Sequence, residues 1–380
     1  MVQRHNFRIY PSKEQEAQIQ KNFGCCRFVY NYFLDKRIER YRETGEMYGF
    51  FEMSRDLTQL KKQEGYEWLN VADAGSLHEA LKNMDSAFTQ FFKRLKKGGT
   101  APGFPKFKSK RESRQSYKCK YANKIEIGEK EIKIPKLGWV KCRISKHTGG
   151  RLLNAVISQS GSGKYHVSLC FTDVEVEPLP KTGAVMGIAL GLTDLITTSD
   201  GARYKNDKHA QQSSGKIARL RRELSRKTKD SANYEKTRQK LAKATERIRN
   251  QKQDALHKMT TGLVREYDTI CIRDEPVAQM LKKQKKKFSA LLSGASWGEI
   301  TRQLSYKTEW YSKSLIKIDP LLPTTQQCST CGHKHVQVKT HPRWQSWNCP
   351  KCGVTHDRAI NAATNIRNQA LINNPQQTVN

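Results

Sequence analysis

Acidic residues are scarce in this chain of 380 residues: Asp and Glu together number 36, against 69 Lys and Arg. The formal charge is therefore +33 at pH 7. Net charge bears on the partners of a protein rather than on its fold, and a surplus of this size suits a long polyanion. The composition predicts a protein that binds such a polymer.

Long hydrophobic runs are also missing. No stretch approaches the roughly 18 apolar residues that a membrane span needs. The first seven residues contain no apolar run of the signal-peptide kind. We therefore expect no membrane partner and a cytoplasmic location. At roughly 100–200 residues per domain, the length predicts two or three domains, with cores large enough that disulfides are not needed.

The first half of the chain changes from helical to alternating patterning. Residues 12–97 have apolar side chains at three- and four-residue intervals, and Ser12 with Gln15 matches the capping box of a helix start. From about 115 to 180 apolar and polar residues alternate, which predicts a small β domain. Its two hairpins are predicted at residues 124–134 and 155–169.

The second half reads as an α/β core. An apolar run at residues 184–191 predicts a buried strand, a charged periodic stretch at about 213–265 predicts one long helix, and residues 269–272 predict a further strand. Strands that alternate with helices are typical of α/β domains.

Four of the ten cysteines have the spacing of a metal site, C-x2-C-x17-C-x2-C. Each pair allows two thiolates to reach one tetrahedral ion, and a glycine follows each pair where a tight turn is needed. Four sulfur ligands leave no open position for water, so the predicted ion is a structural zinc. The ligands are Cys328, Cys331, Cys349 and Cys352, and the glycines are Gly332 and Gly353.

Two other interpretations of this cluster exist. Two disulfides would use the same cysteines, but they fit a cytoplasmic protein poorly. Nearby histidines could replace a cysteine ligand, although four cysteines already complete the site. These histidines are His333, His335, His341 and His356.

Basic and aromatic residues are interleaved at residues 91–97 and 104–111. Cations neutralise phosphates and exposed rings stack on unpaired bases, so the pattern suits nucleic acid; core packing of the rings is the alternative, preferred for Phe88 and Phe91. The lysine-rich run at 282–287 reads as a solvated loop, with nucleic-acid contact as the second interpretation.

Taken in order, these motifs resemble the TnpB family, transposon-encoded RNA-guided nucleases related to type V CRISPR effectors. The matching pieces are residues 8–11 with Gln15, 24–31, 104–110, 187–191, 199–201, the cysteine cluster and 357–366. The resemblance extends over nearly the whole chain.

The resemblance implies a multidomain α/β fold, in which an RNase H-like (RuvC-type) domain carries an inserted zinc ribbon and accompanies a wedge β domain and a helical recognition domain. The implied boundaries are 1–11 and 103–180 (wedge), 12–102 (recognition), 181–322 and 357–372 (RuvC-type), 323–356 (zinc ribbon) and 373–380 (tail). It also implies a monomer in the bacterial cytoplasm, near the nucleoid. The implied partners are a guide RNA from the protein's own or a neighbouring locus and double-stranded target DNA beside a short adjacent motif.

The family cuts DNA with three carboxylates that hold divalent metal, and all three positions differ here. They are occupied by Ala189, Arg273 and Ala359. Magnesium needs oxygen ligands, and the local charge changes from −3 to +1, so we expect no catalytic magnesium and no enzyme activity. Alanine is also the usual laboratory replacement for a catalytic carboxylate, so Ala189 and Ala359 fit either engineering or natural loss. Arginine is not a usual laboratory choice, so Arg273 indicates natural loss.

By the resemblance, the chain is then a nuclease-dead repressor of the TnpB-like kind (TldR), which blocks transcription by occupying promoter DNA. One alternative is a residual nuclease whose metal is held by Asp194, Asp274 and Asp357. Another is an accessory protein that binds the transposon RNA and never engages DNA.

Candidate nucleic-acid contacts fall into two groups. Residues expected at phosphates are Arg27, Lys106, Lys108, Lys110, Arg111 and Arg273. By the resemblance, the target-adjacent motif is read near Phe51, Ser54, His78 and Lys82; core packing or plain solvent exposure is the alternative for each of them. For Arg273 we advance the hypothesis that it clamps a phosphate of the DNA strand. The alternative is that this arginine arose by drift, is exposed and has no effect on function.

Overall fold

The computed structural model describes residues 1–97, 103–111, 114–145, 149–206, 209–283, 286–341 and 344–374. The chain divides into two units, Met1–Glu175 and Val176–Asn380. Within the described residues, no helix combines the length and the apolar character required to cross a bilayer.

The first unit combines a seven-stranded antiparallel sheet with three helices. The strands are β1 (Gln3–Tyr10), β2 (Ser116–Cys119), β3 (Glu126–Ile127), β4 (Glu131–Ile134), β5 (Gly138–Arg143), β6 (Arg151–Gln159) and β7 (Tyr165–Thr172), in the order β2-β6-β7-β1-β5-β4-β3. The helices are α1 (Lys13–Thr44), α2 (Phe50–Leu60) and α3 (Ala74–Lys96).

Strand β1 lies inside this sheet because its alternate side chains, Phe7 and Ile9, are buried. It pairs with β7 on one side and with β5 on the other. Both predicted hairpins are confirmed, as β3 with β4 and β6 with β7.

Helix α1 begins where the sequence predicts. The Ser12 hydroxyl accepts a hydrogen bond from the Gln15 amide at 3.2 Å, and the Gln15 side chain accepts from the Ser12 amide at 3.0 Å. The capping box is therefore confirmed. At the other end Gly45, at a φ of 73°, donates its amide to the Tyr41 carbonyl and ends the helix.

The second unit is built on a five-stranded mixed sheet, ordered β10-β9-β8-β11-β12. Its strands are β8 (Val185–Leu190), β9 (Asp194–Thr198), β10 (Arg203–Lys205), β11 (Thr269–Arg273) and β12 (Ser314–Ile318). Strands β8, β9 and β10 are antiparallel neighbours, whereas β11 runs parallel to both β8 and β12.

The helices described in the second unit are α4 (His209–Ser225), α5 (Ala232–Glu266), α6 (Val277–Lys283), α7 (Lys286–Ala295), α8 (Trp297–Trp310), α9 (Gln337–Thr340) and α10 (Arg358–Asn373), with a small hairpin of β13 (Ser346–Asn348) and β14 (Thr355–Asp357) before α10. Helices α5 and α8 lie on one face of the sheet and α10 lies on the other. Leu263 of α5 and Ile300 of α8 pack on the Ile188 and Ile272 side, and Ile366 of α10 packs on the opposite side with Cys271.

The single long helix predicted over 213–265 is instead two helices, α4 and α5. Asp230 adopts a left-handed φ of 73°, which a continuing helix does not allow. Ser231 then accepts a hydrogen bond from the Tyr234 amide at 3.1 Å and starts the second helix. Charged periodicity continues across the break, which is why the pattern hides it.

Helix α10 approaches β8 closely at Gly187. A Cβ at this position would overlap the carbonyl oxygen of Ala363 and lie 2.8 Å from the Cβ of Arg367, both in α10. Because neither a carbonyl oxygen nor a Cβ can move without shifting the helix, glycine is required here.

We expect Gly187→Ala to lower the free energy of unfolding by about 1–3 kcal/mol, because the added methyl group pushes α10 off the sheet. The matched control is Gly262→Ala in α5, where an added Cβ meets nothing within 4 Å. That change should be neutral or stabilising by up to about 1 kcal/mol. Urea unfolding followed by circular dichroism measures both, and equal midpoints for the two variants would contradict the packing argument.

Candidate functional site

Four cysteine thiols converge between β13 and the segment that precedes α9. The sulfur atoms of Cys328, Cys331, Cys349 and Cys352 all lie within 4.8 Å of one another. The Cys328–Cys352 and Cys331–Cys349 separations are 3.7 and 3.6 Å. Zinc–sulfur bonds of about 2.3 Å in a tetrahedron require sulfur separations of about 3.8 Å. The cluster therefore has the dimensions of a tetrahedral metal site.

The backbone around each cysteine pair forms the tight turn that such a site needs. Gly332 donates its amide to the Cys328 carbonyl and Gly353 donates to the Cys349 carbonyl, both at 2.9 Å. Their φ values are 75° and 73°, in the left-handed region. Glycine adopts this conformation without a Cβ penalty, which explains why one follows each pair.

Among the histidines considered as substitute ligands, the ring of His356 lies against a cluster thiol. It is buried, and its Nε2 lies 2.9 Å from the Cys328 sulfur. Its ring also packs on Trp347, at 4.8 Å between centroids. The four thiols complete the site without it. His356 would therefore contact a thiol ligand without binding the metal itself.

Two asparagines of α10 attach this cluster to the helix. Asn361 accepts a hydrogen bond from the Ser329 amide at 2.9 Å and donates to the Gln327 carbonyl at 2.8 Å. Asn365, one turn later, donates to the carbonyls of Gln327 and Thr324 at 2.6 and 2.8 Å. Sequence reasoning missed this role, although the i, i+4 spacing of the asparagines was a usable signal.

We expect the full chain, purified after growth with zinc, to hold about one metal ion, and Cys349→Ser to lose it because three thiolates bind much more weakly. Thermal stability should fall as well, since structural metal contributes folding free energy. Cys170→Ala, a buried cysteine outside the cluster, is the control and should keep the ion. Elemental mass spectrometry gives the count; an unchanged metal content in Cys349→Ser would contradict the assignment.

Three positions correspond, by the resemblance, to the nuclease carboxylates, and they lie on one side of the second sheet. Ala189 packs with Cys271 on the side that α10 covers. Because side chains alternate along a strand, Arg273 of β11 points to the same side as Cys271. Ala359 lies in the first turn of α10. The fold thus brings these positions to one face.

Arg273 is neither exposed nor unpaired. Its side chain is 30% exposed, and its Nε and Nη2 both lie 2.5 Å from one oxygen of Glu275. A DNA phosphate would therefore compete with this carboxylate for Arg273. Asp274 is exposed and lies 3.5 Å from Lys317.

Arg203 joins two of the remaining acids. Its Nη1 donates to Asp194 at 3.0 Å and its Nη2 donates to Asp357 at 2.5 Å. These hydrogen bonds, to Asp194 first and then to Asp357, raise the pKa of Arg203. The other oxygen of Asp357 caps α10 by accepting from the amides of Ala359 and Ile360, each at 3.0 Å. A metal at this point would have to displace the guanidinium.

The two rings of the basic and aromatic segment at 104–111 are both exposed, and one of them also packs on other rings. Phe104 packs edge-on against Phe88 and Phe91 at 5.4 and 5.3 Å between ring centroids, whereas Phe107 is 56% exposed. Lys106, Lys110 and Arg111 are exposed. The lysine run at 282–287 lies outside the side chains that the structure describes.

Lys108 differs from these neighbours because it points inward. Its backbone amide donates to the Asn31 side chain at 2.8 Å and its carbonyl accepts from the same amide group at 2.9 Å. The ammonium lies 3.7 Å from the centre of the Tyr30 ring. Arg27, on the same helix as Tyr30, donates to Gln115 at 3.2 Å.

Of the four predicted motif-reading residues, Ser54 of α2 and His78 of α3 are in contact. The Ser54 hydroxyl and Nδ1 of His78 are 2.9 Å apart, Lys82 is exposed, and Phe51 is 83% exposed. Burial lowers the pKa of His78, and the charges of Lys61 and Lys120 lower it further. The imidazole is therefore neutral near pH 7.

Family models match three parts of the chain. "Probable transposase" (OrfB of IS605) matches residues 168–284, "Cas12f1-like, TNB domain" matches 297–366, and "Helix-turn-helix domain" matches 1–46. In this chain the last of these stretches contains β1 and α1.

Two relatives align with nearly the entire chain. "Putative RNA-guided DNA endonuclease" of Streptomyces pristinaespiralis is 34% identical, over 95% of this chain and 87% of its own length. "Putative RNA-guided DNA endonuclease InsQ" of Escherichia coli K12 is 30% identical, over 96% and 91%.

Two solved structures share the fold. The Cas12f1-sgRNA-target DNA complex matches 97% of this chain and 98% of its own, with a TM-score of 0.50 and 13% identity. The mini-RNA-guided endonuclease CRISPR-Cas_phi3 matches 98% and 92%, with a TM-score of 0.53 and 10% identity. The predicted fold class, a multidomain α/β chain with a zinc-ribbon-like cysteine cluster, is confirmed.

The expectation that this chain is not an enzyme is wrong. The relatives that align with it almost end to end are named as endonucleases, including a further one from Mycobacterium tuberculosis. The residues at 189, 273 and 359 are therefore not a sufficient basis for placing the chain outside that class.

Proposed function

Since this chain belongs to the TnpB (IS605 OrfB) family, we propose that it binds a guide RNA and, directed by that RNA, occupies double-stranded DNA beside a short adjacent motif. We further propose that it acts as a monomer in the bacterial cytoplasm and that occupancy of promoter DNA represses transcription, as in the TnpB-like repressors.

The observation that carries this proposal is the end-to-end similarity to relatives named as RNA-guided DNA endonucleases. The formal charge of +33 supports it, because two nucleic acids present many phosphates to neutralise. Exposed Lys106, Lys110 and Arg111 beside the exposed ring of Phe107 offer cations and a stacking surface together. Sequence would be read by base pairing, and the protein would read the adjacent motif and the shape of the duplex.

Within this proposal each unit has a part. We assign 1–11 and 103–180 to a wedge domain, 12–102 to a recognition domain, 181–322 and 357–372 to the RuvC-type domain and 323–356 to a zinc ribbon, followed by a tail. Zinc at the four thiols would hold the ribbon together, and hydrogen bonds from Asn361 and Asn365 would attach the ribbon to α10.

His78 is the residue best arranged to read the motif. Its Nδ1 is engaged by Ser54, which fixes the ring and leaves Nε2 to meet a base edge. The lowered pKa of His78 keeps the ring neutral, so that Nε2 acts in a directional hydrogen bond rather than as a point charge. Lys82, one turn further along α3, is positioned for a phosphate.

We expect His78→Ala to weaken binding to DNA with the correct motif by about 5- to 150-fold, equivalent to about 1–3 kcal/mol for a lost base contact, and to discriminate less against altered motifs. Lys82→Ala should weaken binding to every motif alike. It should also reduce the slope of log affinity against log salt concentration by about one. Lys130→Ala, an exposed lysine between β3 and β4, is the control.

Fluorescence anisotropy of the guide-loaded protein at several salt concentrations measures these effects. A promoter reporter in cells should lose repression in the same order as affinity. If His78→Ala binds as tightly and as selectively as the unaltered protein, the motif-reading assignment is wrong.

A second candidate function is cleavage of the bound DNA. The relatives' names favour it, as does the convergence of Asp194 and Asp357 on Arg203 near the ligand positions. A matched supercoiled plasmid with magnesium or manganese tests it. Nicking that disappears in Asp194→Asn would assign cleavage to this site, whereas bound but intact plasmid would contradict this second candidate.

A further inference from the structure

The ten cysteines differ in exposure, and all ten lie in the part of the chain that the structure describes. Cys352 is exposed and Cys331 is half-buried, whereas the other eight are buried. An oxidant dissolved in water reaches a sulfur only where the solvent does, so exposure decides which cysteine reacts first. Exposure therefore singles out Cys352.

The cysteines outside the metal cluster are protected in a second way. Burial raises the pKa of Cys119 and Cys271 to about 12 and that of Cys142 to about 11. Burial also raises the pKa of Cys25 and Cys26. Because the thiolate and not the thiol is the nucleophile, these five sulfurs are inert near pH 7.

The cluster thiols are in the opposite state once a metal is bound. A coordinated thiol is deprotonated outright, so all four sulfurs are then thiolates. Lys351 precedes Cys352 directly and is exposed as well, which adds a cation to the surroundings of the exposed sulfur. An accessible thiolate near a cation has the surroundings of an oxidation-sensitive cysteine.

A second thiol lies close enough to react with an oxidised Cys352. Its nearest recorded neighbour is Cys328, at 3.7 Å between the two sulfurs. A disulfide would shorten this distance to about 2.0 Å, a movement that two side chains can make. Cys331 and Cys349, at 3.6 Å, form the other close pair.

The bond between Cys328 and Cys352 would act on the attachment of the cluster to α10. Cys328 lies between Gln327 and Ser329, whose backbone groups hydrogen-bond to Asn361. Drawing Cys328 towards Cys352 therefore works against the contacts that hold this segment on the helix.

We propose that Cys352 is an oxidative modification site: a peroxide oxidises it, and it then forms a disulfide with Cys328 that opens the metal site and loosens its attachment to α10. The inference goes beyond the proposed function, because it needs neither guide RNA nor DNA, and its test uses neither.

Each disulfide consumes one molecule of hydrogen peroxide. The Cys352 thiolate attacks one peroxide oxygen, the O–O bond breaks, hydroxide leaves, and the sulfur becomes a sulfenic acid. The Cys328 thiolate then attacks that sulfur, the S–O bond breaks, the S–S bond forms and a second hydroxide leaves. Two thiolates thus lose two electrons, which the peroxide gains, and the two hydroxides take protons from the buffer. Cys331 and Cys349 remain, and two thiolates hold zinc much more weakly than four.

A titration of the zinc-loaded full chain with hydrogen peroxide tests the proposal. A chromogenic chelator measures released zinc, and alkylation before and after reduction, followed by peptide mass spectrometry, identifies the linked cysteines. With about one equivalent of peroxide we expect zinc release and a Cys328–Cys352 bond, with the cysteines outside the cluster still thiols. A thiol reductant with added zinc should restore the metal and the melting temperature.

Three results of this titration would overturn the proposal. They are retention of zinc by the peroxide-treated chain, oxidation that falls first on a cysteine outside the cluster, and a disulfide that joins Cys352 to a cysteine other than Cys328.

Two variants isolate the exposed thiol. Cys352→His removes it but keeps four metal ligands, because three thiolates and an imidazole also form a structural zinc site. Its release of zinc by peroxide should be slower by about tenfold or more, since the remaining sulfurs are less exposed. Cys331→His is the matched comparison, because it changes the ligand set in the same way and keeps both Cys352 and Cys328. Its release should be as fast as that of the unaltered chain.

Equal release rates in the two variants would overturn the role of Cys352. If either variant holds no zinc, the disulfide map of the unaltered chain still decides between the outcomes. Hydrogen exchange measures the effect on α10: the Ser329 amide, which donates to Asn361 at 2.9 Å, should exchange faster after oxidation. The amides of β7 in the first unit are the control, and unchanged protection of Ser329 would contradict the loosening.

Discussion

The close approach of α10 to β8 at Gly187 is the contact on which the second unit depends. Helix α10 carries Asp357 at its cap, Ala359 in its first turn, and the two asparagines that hold the cysteine cluster. A helix displaced by one methyl group would move the cluster together with Asp357, one of the two acids that meet Arg203. Glycine ordinarily weakens a strand, but at position 187 it allows α10, which holds the cysteine cluster, to pack closely on the sheet.

Cations are arranged in two ways in this protein. Some are paired with carboxylates: Arg203 bridges Asp194 and Asp357, and Arg273 contacts Glu275. Others, among them Lys106 and Lys110, are exposed to solvent. Solvent-exposed cations are the ones most readily available to phosphates.

Local patterns in the sequence were enough to predict several elements. The capping box at Ser12, the two hairpins and the grouping of four thiols each depend on spacing within one short segment or on a known ligand geometry. The α/β class followed from the order of strands and helices. These are features that neighbouring residues determine.

Features formed by distant residues could not be predicted in this way. Arg203 and Asp357 are 154 positions apart, and nothing in either neighbourhood indicates their contact. The break between α4, which ends at Ser225, and α5, which begins at Ala232, is likewise hidden because charged periodicity continues across it. The inference that the chain is not an enzyme failed because it gave three positions more weight than the similarity of the whole chain to relatives named as endonucleases.

The most direct measurement changes the guide segment of the RNA and determines which DNA the protein then binds. The purified chain is loaded with RNA that copurifies with it, then with the same RNA carrying a new guide segment, and its affinity for both DNA targets is measured beside one fixed adjacent motif. We predict that tight binding moves to the DNA that pairs with the new guide and leaves the old target. Equal affinity for matched and unmatched DNA, or no RNA retained through purification, would contradict RNA-guided binding.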